Sequence, residues 1–279
     1  SKTPSVPIIL SPNANDVIFG RIPLRADAGD SVQVGKVEFY DETPDGNNML
    51  IAIDEDGPPW ESFWDCSNAS FGQHFIYARA YDKTYLNPPK VQTIKHYNDS
   101  VRTPVVIALS YEIQLNPGWN YFSLPYEPYD PDVRSILSNI GSSARSIWSY
   151  DTETSRWLRY DLDGPAFLND LYEIRPGKGY IVFMNASGTL KVIGTKPDPK
   201  IRLINGWNLI GCNSNKPLDI IDALSSIRSY NPAIWTIDKV TGEWKGYDPL
   251  GTVNDLNTLE PCNAYWIYVD ADCIWDIER

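Results

Sequence analysis

The residue types that could carry chemistry are few and scattered. Only two histidines are present, His74 and His96, and the cysteines stand alone at 66, 212, 262 and 273. A Ser-His-Asp or Cys-His arrangement would have to be assembled around one of those two imidazoles from distant segments, so nucleophilic catalysis is not expected. A glycosidase pair needs two carboxylates held across a cleft. None of the 36 Asp and Glu stands in a recognisable context for that. No two cysteines have the close spacing of a zinc site. Asp161-Leu162-Asp163-Gly164 resembles the start of a calcium loop but lacks the later Glu that closes an EF-hand. A plain turn is the favoured reading there, with Asp161 and Asp163 as the metal candidates and calcium as the ion. Asp270-Ala271-Asp272 has the same ambiguity, and no Gly-rich phosphate loop occurs. Asn68, Asn98 and Asn185 each open an Asn-X-Ser sequon and are candidate glycosylation sites. No enzyme, and no cofactor beyond a calcium ion, is expected.

Composition narrows the remaining classes. In 279 residues, 42% are hydrophobic, too many for a disordered chain, and the net charge is -12. An acidic chain is unsuited to sequence-independent binding of nucleic acid. No apolar run approaches the roughly 18 residues of a membrane-spanning helix, so no membrane insertion is expected within this chain. Ser1 to Pro7 lacks the basic region and apolar run of a signal peptide. It reads as a mature start or as a cut within a longer protein. What stands out is 10 Trp and 17 Tyr. Exposed, such a load forms a stacking surface; buried, it is core.

The elements that would position these residues are mainly β. Residues 1–110 contain short strand-like runs: Val37 to Tyr40, Met49 to Ile53 and Phe75 to Ala80. They are broken by turn clusters at Asp45-Gly46-Asn47-Asn48, Asp56-Gly57-Pro58-Pro59 and Asn87-Pro88-Pro89, a β-sandwich spacing. The stretch Lys36 to Asp82 resembles the Ig-like domains strung along secreted bacterial and archaeal proteins. The matching pieces are Lys36-Val37-Glu38-Phe39-Tyr40, Pro59 to Asp65, Gly72-Gln73-His74-Phe75 and Ala78 to Asp82. The resemblance implies a seven-strand sandwich serving as spacer or platform, with Trp64 a core aromatic and His74 structural.

The rest of the chain repeats itself. Gly118-Trp119-Asn120 recurs as Gly206-Trp207-Asn208, Ile147-Trp148 as Ile234-Trp235, and Trp157 with Tyr160-Asp161 as Trp244 with Tyr247-Asp248. Asn169-Asp170-Leu171 recurs as Asn254-Asp255-Leu256, and Tyr180 as Tyr265, at an offset that drifts by only three residues. Each copy reads as a strand, then a short helix over Asp132 to Ile140 or Asp219 to Ile227. A hairpin follows (Ser146 to Asp161 in the first copy), and then a closing strand pair. In the first copy that pair is Tyr180 to Met184 with Thr189 to Val192. Val133, Ile136, Leu137 and Ile140 fall on one helical face, and Asp132 or Asp130 can cap it. A further short helix is expected near Asn169. The predicted architecture is an Ig-like β-sandwich over 1–110 and two small α+β units over 111–200 and 201–279. These units resemble the Gly-Trp-Asn repeats of secreted and surface multidomain proteins, which implies location and modular context rather than an activity.

Aromatics matched between the copies are most simply core, because both copies must build the same interior. That leaves Trp266 and Trp275, which replace Ile181 and Leu190, as candidates for copy-specific stacking. Tyr126 and Tyr129, in an unmatched loop, are candidates for contact. The alternative is a repeated binding surface with Trp148 and Trp157 on one outer face of the hairpin. Three cysteines, Cys212, Cys262 and Cys273, lie in the second copy. A disulfide between two of them would fit an oxidising compartment, with Cys66 free or paired to a neighbouring chain. The expected function is a non-catalytic module of a secreted or cell-surface protein, acting in spacing, adhesion or envelope assembly. Its partners would be other domains of a larger surface protein, further copies or polysaccharide. The alternative is a carbohydrate-binding region accessory to a polysaccharide-degrading enzyme.

Overall fold

A computed structural model describes residues 4–29, 34–83, 97–239, 241–251 and 254–277. His96, the Asn87-Pro88-Pro89 break and Val240 lie outside them. The fold is mainly β, and its contacts divide the chain into two bodies, Ser1–Leu109 and Ser110–Arg279.

In the first body, the strands Ile8–Ser11, Arg21–Asp27 and Trp60–Asp65 form one sheet. A larger sheet runs Val17–Ile18, Thr103–Ile107, Gly72–Asp82, Val34–Glu42, Asn48–Asp54, with Tyr97–Asp99 also paired to Gly72–Asp82. The described residues thus hold nine strands rather than seven, the extra ones being short. Alternation turns Leu24, Val37, Phe39, Ile76, Ala78 and Val105 inward, where they pack with Trp60 and Trp64. Trp60 is almost wholly buried and donates its indole N–H to the carbonyl of Gly29 at 3.0 Å.

In the second body, two four-stranded antiparallel sheets share one strand order. The first runs Gly118–Phe122, Tyr180–Met184, Ala144–Asp151, Arg156–Asp161. The second runs Gly206–Gly211, Ala264–Val269, Ala233–Ile237, Trp244–Tyr247. Each has its own core on its inner side. The helices are shorter than their pattern, Val133–Leu137 and Ile220–Ala223, and the second continues as a 3-10 turn over Ser225–Tyr230. Asp132 and Asp219 cap them through their side chains. Hydrogen bonding from the Arg134 side chain draws the Asp132 carboxyl down to about 2. Val133, Ile136, Leu137 and Ile140 are all buried, as the periodicity requires. Near Asn169 the expected helix is a single 3-10 turn, Ala166–Leu168.

The closing strands differ from expectation. Gly188–Thr195 does not pair with Tyr180–Met184 but crosses to a separate sheet with Leu109–Leu115 and Glu127–Pro128. Cys273–Asp276 likewise leaves its neighbour and pairs with Lys200–Leu203. In both places the crossing strand closes the far side of a core, which a flat extension of the four-stranded sheet could not cover.

The recurring motifs have recurring tasks. Gly118 and Gly206 have φ of +94° and +102°, a backbone shape that side chains disfavour. Asn208 accepts from the Ile204 N–H at 3.0 Å and donates to the carbonyls of Ile204 and Gly206 at 2.8 and 3.0 Å. Asn120 does the same with Asn116 and Gly118. Asp170 and Asp255 accept from the N–H of Arg159 and Gly246, and Asn169 and Asn254 accept from Asp161 and Asp248, pinning each hairpin's outer strand. Tyr180 and Tyr265 are buried, their hydroxyls clamped between the N–H and carbonyl of Arg175 and of Glu260.

The two sheets meet reciprocally within this body. The Gly179 N–H donates to the Leu209 carbonyl at 3.1 Å, and Ser123 Oγ donates to the Asn263 carbonyl at 2.8 Å. Ser123 and Gly211 occupy corresponding positions and face each other. A Cβ built on Gly211 would lie 2.2 Å from Ser123 Cβ and 3.0 Å from the carbonyl oxygen of Lys178, which corresponds to Asn263.

Candidate functional site

Period-2 alternation decides which side chains leave the two cores. In the first sheet Phe122, Ile147, Tyr180 and Val182 point in, so Trp119, Tyr121, Trp148, Tyr150 and Ile181 point out. Trp157 pairs with Tyr150 and shares its outer face. In the second sheet Ile210, Ile234, Tyr265 and Ile267 point in, leaving Trp207, Trp235, Trp244, Trp266 and Tyr268 outward. Relative exposure is 60% for Trp119, 45% for Trp157, 45% for Trp207 and 51% for Trp244. Trp148, Trp235 and Trp266 are half-buried. This corrects the expectation that aromatics matched between the copies are core. Tyr180 and Tyr265 are, but the six matched Trp are not. Tyr160 and Tyr247, on the inner faces, pack partly buried against the cores.

These outward rings converge across the junction between the sheets. Trp266 lies 5.4 Å from Tyr150 and 5.9 Å from Trp157, centroid to centroid, with ring planes at 56° and 78°. Tyr121 meets Trp244 edge-on at 6.4 Å, and Trp207 meets Tyr268 at 5.5 Å. Two cavities open here. The larger, about 890 Å³, is lined by Tyr150, Trp157, Trp207, Ala233, Trp235, Trp244, Asp248, Trp266 and Tyr268. The smaller, about 460 Å³, is lined by Trp119, Tyr121, Trp148, Trp157, Ile181 and Ile237. Trp157 belongs to both, so they adjoin. Trp235 can lie flat against its strand because its partner there is Gly246, where a Cβ would come within 2.4 Å of the indole. The corresponding Arg159 instead sets its guanidinium 5.6 Å over Trp148.

Most polar edges of these rings are unpaired among the described residues. Trp148 donates to Ser146 Oγ at 3.2 Å. Among the described residues, the indole N–H groups of Trp119, Trp157, Trp207, Trp235, Trp244 and Trp266 make no hydrogen bond to protein. Nor do the hydroxyls of Tyr121, Tyr150 and Tyr268. The face therefore offers apolar ring surface rimmed with unpaired donors and, in the larger cavity, the Asp248 carboxylate.

Of the four aromatic residues singled out from sequence, Trp266 alone belongs to this face. Trp275 has no exposed surface and donates its indole N–H to the Ala223 carbonyl at 2.6 Å, which makes it a core residue of the second sheet. Tyr126 is buried too, its hydroxyl accepting from Asn215 Nδ2 at 3.2 Å, whereas Tyr129 is exposed away from the lining residues. The sequence did hold the missed signal: Ile147 and Trp148 are neighbours on one strand and cannot both face the core.

The remaining candidates are occupied structurally. His74 Nδ1 lies 2.8 Å from Asp41 Oδ1, and Nε2 lies 3.1 Å from Ser70 Oγ, which are the distances of a nucleophile triad. Nε2 also lies 2.9 Å from the Ser70 carbonyl, so the ring is held on both sides within the sandwich. The imidazole has no solvent exposure. It ties the Ser70 turn to the strand Val34–Glu42, and burial, partly offset by His74, raises the Asp41 carboxyl.

Asp161 Oδ1 accepts from the Asp163 N–H at 3.1 Å, and Asp248 does the same for Leu250 at 2.9 Å. This is a recurring aspartate turn, and the described residues hold no cluster of three metal-ligating side chains. All four cysteines are buried free thiols rather than a disulfide. Cys66 lies in the sandwich core, Cys262 packs into the core of the first sheet, and Cys212 and Cys273 lie in that of the second. Burial pushes the Cys212 and Cys262 thiols up to about 12. Asn68 and Asn185 are exposed, whereas Asn98 Nδ2 is held by the Pro4 carbonyl at 2.6 Å.

Comparison with known proteins agrees with the first body. Residues 4–78 match the family described as bacterial Ig domain. No curated protein matches the chain. No helix among the described residues is long and apolar enough to cross a membrane.

Proposed function

We propose that this chain is a non-catalytic binding segment of a secreted or cell-surface protein. In this reading the Ig-type body is a spacer. Residues 111–200 and 201–279 are tandem copies of one Gly-Trp-Asn module, which together present the aromatic face to a partner outside the chain. One observation carries it. In each Gly-Trp-Asn, the Gly supplies a positive φ and the Asn closes a ring of three hydrogen bonds, whereas the outward Trp meets one cross-strand ring, Phe183 for Trp119 and Tyr268 for Trp207, and still leaves 60% and 45% of its surface exposed. A large exposed aromatic set repeated on both sheets is costly for a merely folded surface and suits recognition. The match of residues 4–78 to a bacterial Ig domain supports the location, since such domains generally serve as non-catalytic parts of surface proteins.

Cosedimentation of the purified chain with isolated bacterial envelopes and with insoluble extracellular polysaccharide tests the reading. Wild type should sediment, and a Trp157→Ala/Trp244→Ala double variant with unchanged far-UV circular dichroism should stay in solution. Equal sedimentation of the two would remove it. So would a substrate turnover lost on changing a single carboxylate.

A further inference from the structure

The lining of the aromatic face restricts the ligand chemistry, and the inference that follows rests on the binding reading above. We infer that the face holds a single, soluble, uncharged polysaccharide chain laid across both cavities, with the stronger subsite at Trp157 and Trp266. Such a ligand presents flat C–H surfaces and a dense rim of hydroxyl and ring oxygens. That combination matches apolar rings whose indole N–H and phenol O–H groups, Trp148 apart, have no protein partner among the described residues.

Ring geometry separates soluble chains from crystalline ones. Neighbouring rings on the face meet at 56° to 78°, so they cannot all contact one flat crystal plane. A solvated chain whose successive sugar rings are turned relative to each other can follow them. Charge narrows the class further. Asp248 is the one acidic or basic side chain lining either cavity among the described residues, and the whole chain carries a formal -12. An acidic polysaccharide would be repelled.

Asp248 Oδ1 holds the Leu250 N–H, while Oδ2 has no protein donor among the described residues and can accept from a sugar hydroxyl. A proline-rich peptide, the other common occupant of aromatic grooves, brings no donor to that oxygen at its prolines. A quaternary ammonium group would suit a carboxylate beside aromatic rings, but a cavity of about 890 Å³ is far larger than such a group fills.

The two cavities correspond to one another across the junction, but they are not equal. Trp266 and Tyr150 in the larger stand where the smaller has Ile181 and Ile237. Loss of a ring in the larger cavity should therefore cost more affinity than loss of Trp119 in the smaller. Affinity should also rise with oligosaccharide length until both cavities are filled.

The test uses the intact chain in affinity electrophoresis and tryptophan-quenching titrations. The probes are xylan, glucomannan, soluble mixed-linkage β-glucan and soluble starch as neutral glycans, polygalacturonate as the acidic control, microcrystalline cellulose as the crystalline control, and a polyproline peptide. Retention by at least one neutral soluble glycan is expected. Trp157→Ala and Trp266→Ala should weaken it tenfold or more, Trp266→Ile several-fold and Trp119→Ala less, and Tyr129→Ala should leave it unchanged. Trp266→Phe keeps a ring in place and separates loss of stacking from loss of fold.

Binding of polyproline or polygalacturonate, but of no neutral glycan, with the same dependence on Trp157 would overturn this inference and leave the binding reading standing. Adsorption to cellulose alone, or neutral-glycan binding indifferent to Trp157 and Trp266, would overturn it equally. No binding by any probe, together with equal envelope sedimentation of the Trp157→Ala/Trp244→Ala variant, would remove both.

Discussion

Replacing Asn208 separates what the Gly-Trp-Asn motif does for the fold from what it offers a partner. The side chain is 4% exposed and makes three hydrogen bonds, one accepted from Ile204 N–H and two donated to the carbonyls of Ile204 and Gly206. Taking about 1 kcal/mol net for each bond, Asn208→Ala should lose about 3 kcal/mol, since the three backbone groups lose their partner together. With a urea slope of about 2 kcal/mol per molar, the unfolding midpoint would fall by about 1.5 M. Far-UV circular dichroism is the readout, because it follows the backbone of the whole sheet rather than Trp207 alone.

Asn208→Asp sharpens the test. A carboxylate can still accept from the Ile204 N–H, but its second oxygen then faces two carbonyl oxygens that previously received donors. At pH 7 this variant should be less stable than Asn208→Ala. Its folded carboxyl would be raised above the unfolded value, so the penalty is present above the ordinary carboxylate range and shrinks as pH falls into it. Midpoints within about 0.3 M of wild type for Asn208→Ala, equivalent to about 0.6 kcal/mol, would refute the clamp. So would an Asn208→Asp variant as stable as wild type at neutral pH.

Other expectations follow from buried groups. No thiol should react with Ellman's reagent at pH 8 in the folded chain, because Cys212 and Cys262 sit at about 12 and all four cysteines are buried. All four should react in guanidinium, and a pair that stays silent there would reveal a disulfide. Burial raises the phenols of Tyr180 and Tyr265. Their contribution to stability is therefore complete below the ordinary phenol value of about 10 and is lost as pH climbs above it. Ultraviolet phenolate titration should show these two ionising only with alkaline unfolding, and early ionisation would count against the clamp at Arg175 and Glu260. His74→Phe should cost the sandwich about 3 kcal/mol or more by stranding the buried Asp41 carboxylate. The loss should be largest at neutral pH and reduced in acid, and a loss independent of pH would argue that packing alone is at stake.

Local periodicity made much of this fold legible. The stripe Val133, Ile136, Leu137 and Ile140 is buried, Asp132 caps its helix, and the hairpin pairs Ser146 with Asp161. The aromatic face was not legible because both sheets are apolar on two sides, with aliphatic residues turned in and large rings turned out. Ser149 and Thr236 turn inward and donate to the carbonyls of Gly179 and Ala264, while the large rings beside them turn out. Those two inward hydroxyls are tolerated because they find buried acceptors, and the acceptors lie about 30 residues away in sequence. The cysteines show the same limit. Spacing placed three of them in one copy, but Cys262 reaches into the core of the other sheet, a consequence of how the two sheets join. Trp275 and Leu190 fill equivalent buried positions with side chains of very different size, so an exchange of aliphatic for aromatic did not mark exposure.

The meeting of Ser123 with Gly211 bears on how such a pair of modules can be built. Two identical modules related by a two-fold axis would place the same residue on both sides of that contact. Two serines would overlap, because the room for one Cβ is already taken by the other. The Ser123-bearing half is thus sterically barred from pairing with a second copy of itself in this arrangement, whereas it accepts the Gly211-bearing half. The order of the two along the chain becomes an address: when many chains unfold and refold together at high concentration, each Ser123-bearing half is steered toward a Gly211-bearing half, and pairing of two Ser123-bearing halves is disfavoured at this contact.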